Sequence, residues 1–267
     1  MMSGIPGPEI ERPEETAASG PDVKPMRLSV RQVVRRFGGV AALAGVDLTL
    51  ATGEILGLIG PNGSGKTTLV NCISGVMPIT SGSIWLDGND ITRWTRVRRA
   101  KAGIARTFQN LQLFRELTVR ENIGVGINAA VASRLDTHTA VQLLIARLGL
   151  ETVARVVVSE LPHGRQRRVE IARALAARPK VLLVDEPAAG LNDAETAELR
   201  VLLAQVPGDF GCSILLIDHD MSLVLRVADR VQVLDEGRAI FIGPPDQAFR
   251  QPNVVEAYLG TSDGHSA

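Results

Sequence analysis

Cysteine is nearly missing from this chain: Cys72 and Cys212 are the only two in 267 residues. Neither belongs to a C-x-x-C or other metal-like spacing, which argues against a thiolate metal centre and a disulfide framework. Both read as small buried apolar residues of a cytosolic protein. Histidine is sparse too, four residues with no metal-ligand clustering. Net charge is absent, because 29 basic residues balance 29 acidic ones. No global field therefore draws nucleic acid or anionic lipid, and no nucleic-acid partner is expected. No apolar run approaches the ~18 residues of a membrane-crossing helix, so any membrane role has to come through partners. Residues 1–25 hold too few apolar side chains to fold and lack the apolar core of a signal peptide, so a disordered tail is expected there.

What is present is an ordinary globular composition, 45% hydrophobic and 22% charged, sufficient for one large domain or a main domain with a subdomain. Basic residues gather locally at Arg93, Arg96, Arg98, Arg99 and Lys101, and again at Arg165, Arg167 and Arg168. Such clusters suit solvated helix faces, and they also suit a protein or phosphate contact.

The decisive run is GPNGSGKTT: Gly60, Pro61, Asn62, Gly63, Ser64, Gly65, Lys66, Thr67 and Thr68. It follows the apolar stretch Ile55–Ile59 and precedes Leu69 and Val70, the strand–loop–helix setting of a phosphate-binding P-loop. Glycines let several backbone N–H groups aim at one anion, and the helix start adds its positive end. Lys66 is placed to reach the β/γ-phosphates of a nucleotide, and Thr67 to put its hydroxyl on Mg²⁺.

Around that motif the sequence predicts an α/β fold. Leu28, Val30 and Val33 read as a strand ending in a turn at Phe37-Gly38-Gly39. Val46, Leu48 and Leu50 alternate with polar or small residues as in a half-buried antiparallel strand. Gly82–Gly88 reads as a short strand with an Asp-Gly turn. Val181–Val184 and Ile214–Ile217 suit central strands of a parallel sheet, with Ala194–Leu203 as a crossover helix; Val231–Leu234 is a further apolar run. Residues 95–165 show helical periodicity at Val141, Leu144, Ile145 and Leu148, and few strand-like runs, which predicts an inserted helical subdomain. Thr118 followed by Glu121 reads as a capping box.

Val181–Pro187 sets an acidic pair at the end of an apolar strand. Asp185 suits Mg²⁺ or its water shell, and Glu186 suits proton abstraction from an attacking water. Asp218-His219-Asp220 and Phe108-Gln109-Asn110 are weak motifs alone. His219 near a γ-phosphate would sense it by hydrogen bond, and Gln109 would touch Mg²⁺-bound water.

The order aromatic, P-loop, glutamine loop, basic helix start, Asp-Glu and late histidine resembles the ATP-binding subunit of an ABC transporter, over about Leu28 to Gly260. The resemblance implies a P-loop NTPase core of ABC ATPase type with an antiparallel β subdomain and an inserted helical subdomain. Core segments would be 26–94 and 166–260, the helical subdomain with its signature region 95–165, and residues 261–267 a flexible end. It implies that Phe37 stacks on adenine, Gly60 to Thr68 carry the phosphates, and Thr67, Gln109 and Asp185 serve Mg²⁺. Glu186 would be the general base, His219 the switch histidine, and Ala189-Gly190-Leu191-Asn192 the loop crossing a dimer interface. Leu161, Pro162, His163, Gly164 and Arg165 occupy the signature position, where the family usually has Leu-Ser-Gly-Gly-Gln. The usual serine is absent at Pro162, which leaves the Gly164 N–H and the helix start for phosphate, with Arg165 adding charge or facing solvent.

The text around Phe37, TFQN, AAGLN and the closing AYLG is similar to the branched-chain amino acid (hydrophobic amino acid uptake) subfamily. ATPases of urea or amide import and of lipopolysaccharide export share much of it. The resemblance implies ATP and Mg²⁺ as cofactors, ATP hydrolysis, and a second ATP-binding subunit, identical or similar. It also implies two transmembrane permease subunits, an indirect solute-binding protein, and a peripheral place on the cytoplasmic face of the inner membrane. Leu113, Phe114 and Leu117 are contact candidates for the permeases or core residues of the subdomain. A non-transport ABC ATPase and a regulatory subunit with an impaired signature are the competing readings.

Overall fold

Residues 24–107, 111–127, 136–218 and 221–259 are described by the structure, a computed structural model. The first two strands, β1 (Met26–Phe37) and β2 (Val40–Ala51), form an antiparallel pair with Leu28 opposite Leu50 and Val30 opposite Leu48. Leu28 and Val30 of β1 and Val46, Leu48 and Leu50 of β2 face inward at a period of two, and a register shift at Gln32, φ 47°, makes Val33 the next inward residue of β1. After β3 (Ile55–Ile59) and helix α1 (Lys66–Ser74), β4 (Ser81–Leu86) pairs with the other edge of β1 and carries the short β5 (Asn89–Asp90). The result is a four-stranded sheet of order β2-β1-β4-β5.

The second sheet has six strands, ordered β10-β9-β3-β8-β7-β6. Here β6 is Ile104–Arg106, β7 Val181–Asp185, β8 Ser213–Ile217, β9 Arg230–Asp235 and β10 Arg238–Gly243. Only β10 runs antiparallel. Strands β3, β7 and β8 are buried at every residue, because both faces are covered. Their alternate side chains feed two cores. Ile59, Leu182, Val184, Ile214 and Leu216 join the helical side, while Leu56, Leu58, Val181, Leu183 and Leu215 join α1 and the four-stranded sheet.

Helix α2 (Arg96–Ala102) leads into β6, and α3 (Val119–Val125), α4 (Thr137–Arg147) and α5 (His163–Ala176) follow before β7. The capping box at α3 is formed: Thr118 Oγ1 accepts the Glu121 N–H at 3.3 Å and Glu121 returns to the Thr118 N–H at 2.8 Å. Then α6 (Asp193–Phe210) crosses to β8, and α7 (Met221–Val227) to β9. The expected helical stretch 95–165 needs one correction: β6 lies inside it and pairs in parallel with β7 of the six-stranded sheet. Three residues are too few for a strand period to register in the sequence. Two short helices, α8 (Pro245–Ala248) and α9 (Pro252–Leu259), complete the described chain.

Candidate nucleotide-binding site

Strand β3 delivers the chain to Gly60, at φ 145°, where a Cβ would lie 2.0 Å from the Leu234 carbonyl oxygen. Only glycine fits that approach. Gly65, at φ 103°, closes the loop in the left-handed region, and α1 begins at Lys66. Asn62, Gly63 and Thr67 are exposed, Pro61 and Ser64 buried, and Thr68 half-buried.

The Lys66 ammonium folds back into the loop. Its Nζ donates to the carbonyl oxygens of Gly60 and Pro61, both at 2.8 Å, and to Ser64 Oγ at 3.3 Å. Burial pulls its pKa below the ordinary lysine value, while the nearby charges of Glu186 and Asp185 push the other way. Both carboxylates reach it because β7 and β3 run parallel on either side of β8 and end at the same edge.

Asp185 closes β7 and is 5% exposed. Its Oδ2 accepts from Arg106 Nη2 at 2.7 Å, and Arg106 Nη1 donates to Asn71 Oδ1 of α1 at 2.6 Å. One guanidinium thus ties Asp185 to the P-loop helix. The fully buried Thr107 takes the Asp185 N–H on its Oγ1 at 3.4 Å. Sequence reasoning gave neither Arg106 nor Thr107 a role, although Thr107 opens the TFQN text and Arg106 precedes it. Glu186 adopts φ 45°, a left-handed conformation costing about 1–3 kcal/mol, with its N–H donating to the Ile217 carbonyl at 2.7 Å. Asp218 Oδ2 holds the following loop through the Ala188 N–H at 2.9 Å. Gln109 and His219 lie outside the described residues.

Phe37 stands at the end of β1, 45% exposed, with the Arg35 guanidinium 4.6 Å from its ring centre. At the signature position, Leu161 is buried, Pro162 is the N-cap of α5 without a side-chain cap, and His163, Gly164 and Arg165 form its first turn. The Gly164 N–H donates to Glu195 Oε1 at 3.2 Å, and Arg165 Nη1 to Thr152 Oγ1 at 3.3 Å. Arg167 is buried against Glu170 at 2.6 Å, and Arg168 pairs with Glu198 at 2.6 Å, so this basic run is not one solvated face.

A groove of about 530 Å³ has Val76, Arg96, Phe114, Val125, Glu170 and Arg173 among its walls. Phe114 is 49% exposed there, whereas Leu113 packs against the helical-side core and Leu117 is half-buried. The fully buried Asn122 fixes the loop: it accepts the Phe114 N–H at 2.9 Å and donates to the carbonyls of Phe114, Leu117 and Thr118 at 3.0–3.2 Å. Both cysteines are free and buried, with burial pushing Cys72 up to about 11 and Cys212 up to about 12. Among the described residues no helix is long and apolar enough to cross a membrane.

Residues 43–189 match the ABC transporter family. The high-affinity branched-chain amino acid transport ATP-binding protein BraF of Pseudomonas aeruginosa is 38% identical over 248 residues, 87% of this chain and 97% of that protein. LivG of Escherichia coli, with the same description, is 40% identical over the same shares. Among solved structures, the ADP conformation of MJ1267, an ATP-binding cassette of an ABC transporter, superimposes with a TM-score of 0.79 at 30% identity, covering 88% of this chain and 99% of that one. A phosphate-binding loop with an acidic pair at the same sheet edge, and a match across more than half the sequence, converge on one conclusion: this chain belongs to the ABC transporter family, as an ATP-binding subunit.

Proposed function

We propose that the chain is the ATP-hydrolysing subunit of an importer that moves branched-chain or other hydrophobic amino acids across the inner membrane. The observation that carries the reading is the convergence of Lys66, Asp185 and Glu186 at one edge of the six-stranded sheet. The solute class named for BraF and LivG supports this one.

In this reading the backbone N–H groups from Gly60 to Thr68 and the first turn of α1 hold the triphosphate, and Phe37 stacks on the adenine. The Lys66 ammonium exchanges the Gly60 and Pro61 carbonyls for phosphate oxygens. The Thr67 hydroxyl and the Asp185 carboxylate are hard oxygen donors, a set that fits Mg²⁺, with Gln109 as the third member. These residues would hold Mg²⁺, which would supply positive charge to offset that of the phosphates. Arg106 orients the Asp185 carboxylate. Glu186 takes the proton of the attacking water, giving ADP and phosphate, and His219 reads the γ-phosphate.

Each site is completed by residues 161–165 of a second ATP-binding subunit, identical or similar. Two permease subunits dock over the groove beside Phe114 and hold the chain at the cytoplasmic face, while a solute-binding protein acts through them. The core comprises 26–94 and 166–260 together with β6, and the rest of 95–165 forms the helical subdomain.

The test is reconstitution of the complex from detergent-solubilised membranes with its permeases and solute-binding protein. Leucine, isoleucine or valine is expected to stimulate ATP turnover, and Glu186→Gln to lower it about 10³-fold. Stimulation by urea or short amides, or dependence on lipopolysaccharide, moves the solute class. Recovery only with ribosomes or DNA overturns transport. An absence of turnover with the permeases present leaves a regulatory subunit.

A further inference from the structure

A helix start leaves N–H groups without partners inside the helix. At α5 the capping residue is Pro162, which offers no side-chain acceptor, whereas a serine there would cap the helix itself. The acceptor comes instead from α6. Glu195 Oε1 takes the Gly164 N–H at 3.2 Å, and Oε2 takes the Asn192 N–H at 3.1 Å, closing the capping box of α6. One carboxylate thus spans the starts of two helices. It lies pressed on the glycine: a Cβ at Gly164 would fall 2.6 Å from Oε1 and 2.8 Å from the carboxyl carbon. The adjacent guanidiniums are directed elsewhere, Arg165 to Thr152 and Arg168 to Glu198, beside a cavity of about 240 Å³.

We infer that Glu195 is an intramolecular competitor for the phosphate of the partner subunit's ATP. It holds the Gly164 N–H that this phosphate takes on closure, and the two subunits pair only when the carboxylate gives it up. The inference rests on the two-subunit reading above. Two negative groups seeking one N–H repel, so Glu195 weakens ATP-driven closure and favours reopening once the γ-phosphate has left. The same contact ties residues 189–192 to the signature helix, so release at one helix start is felt at the other.

The experiment compares Glu186→Gln with Glu186→Gln/Glu195→Gln, measuring ATP-driven pairing by light scattering with Mg-ATP. Glutamine removes the charge and keeps one acceptor oxygen for the Gly164 N–H, giving up the Asn192 N–H contact while the Asn192 side chain still caps the Glu195 N–H. The ATP concentration at half-pairing is expected to fall about fivefold in the double variant, with the nucleotide-free thermal midpoint lowered by no more than the loss of one hydrogen bond. With Glu186 intact, Glu195→Gln is expected to lower KM for ATP without raising kcat, a split that a purely structural cap would not produce. An unchanged or higher half-pairing concentration overturns the competitor role alone. If Glu186→Gln never pairs at saturating Mg-ATP, the two-subunit reading falls and takes this inference with it.

Discussion

Lys66 shows how one residue stores its function as a buried charge. The residue is 6% exposed and its ammonium is held by loop carbonyls, the contacts that a phosphate would replace. Lys66→Met is expected to lower ATP turnover at least ~10²-fold, as loss of a charge-stabilising donor does, measured as phosphate release. The depressed pKa adds a pH signature. Between the lowered folded value and the ordinary lysine value, the unfolded chain keeps a proton that the folded chain has released. Stability contributed at Lys66 therefore rises with pH across the alkaline range, and Lys66→Met removes that rise. Urea unfolding of parent and variant at pH 7.5 and 9.5 reads the difference, and parallel pH dependence refutes it. Lys66 and the Asp185-Glu186 pair were legible in the sequence because each sits in a local strand–turn pattern. Arg106 was not, since its partner Asp185 is 79 positions away and nothing local announces the contact. Glu195 was hidden for the same reason, 31 positions from Gly164.

At the scale of elements, burial decides which arginines matter. The first basic cluster is not uniform. Arg99 is 3% exposed and donates to four carbonyls: Cys72 at 2.5 Å, Ile73 and Thr92 at 2.8 Å, and Trp94 at 3.2 Å. It caps the end of the P-loop helix, where carbonyls lack intrahelical partners and a cation suits the dipole. Arg99→Met is expected to cost about 3 kcal/mol in urea unfolding, and Arg99→Lys to recover only part, because an ammonium cannot span the same fork. In α5, Arg167 and Glu170 form a pair at 1% and 2% exposure. Glu170→Ala leaves a buried guanidinium without its carboxylate and is expected to cost about 3–5 kcal/mol, while replacing both residues by leucine costs much less. The thermal midpoints of the single and double variants separate these outcomes. The longer strands β1 to β4 and β7 to β9 and the helices after the P-loop and before β8 were readable from local pattern, as was the Thr118–Glu121 capping box, whereas the short β5 and β6 were not. Burial of single arginines was not, because a basic run looks the same whether its members face water or carbonyl oxygens.

For the whole molecule, sequence gave the layers but not their order. The apolar runs that build the parallel sheet were evident, yet β3 pairs with β8 and β9, strands far along the chain whose adjacency is set by packing on both faces. That packing leaves the Phe114 loop at the surface while Asn122 holds it from beneath. The consequence is a contrast between neighbours. Leu113 packs against the helical-side core, so Leu113→Ala is expected to lower folded stability by about 2 kcal/mol. Phe114 is half in solvent and loses little beyond the Arg173 contact over its ring, so Phe114→Asp is expected to stay within about 0.5 kcal/mol of the parent. Permease binding should sort them the other way. If the permeases dock on this groove as proposed, a carboxylate on its wall would oppose an apolar contact, and recovery of the permeases with the tagged chain should drop at least about tenfold for Phe114→Asp, while Leu113→Ala keeps whatever fraction remains folded. Equal recovery for Phe114→Asp and the parent would place the permease contact elsewhere on the surface.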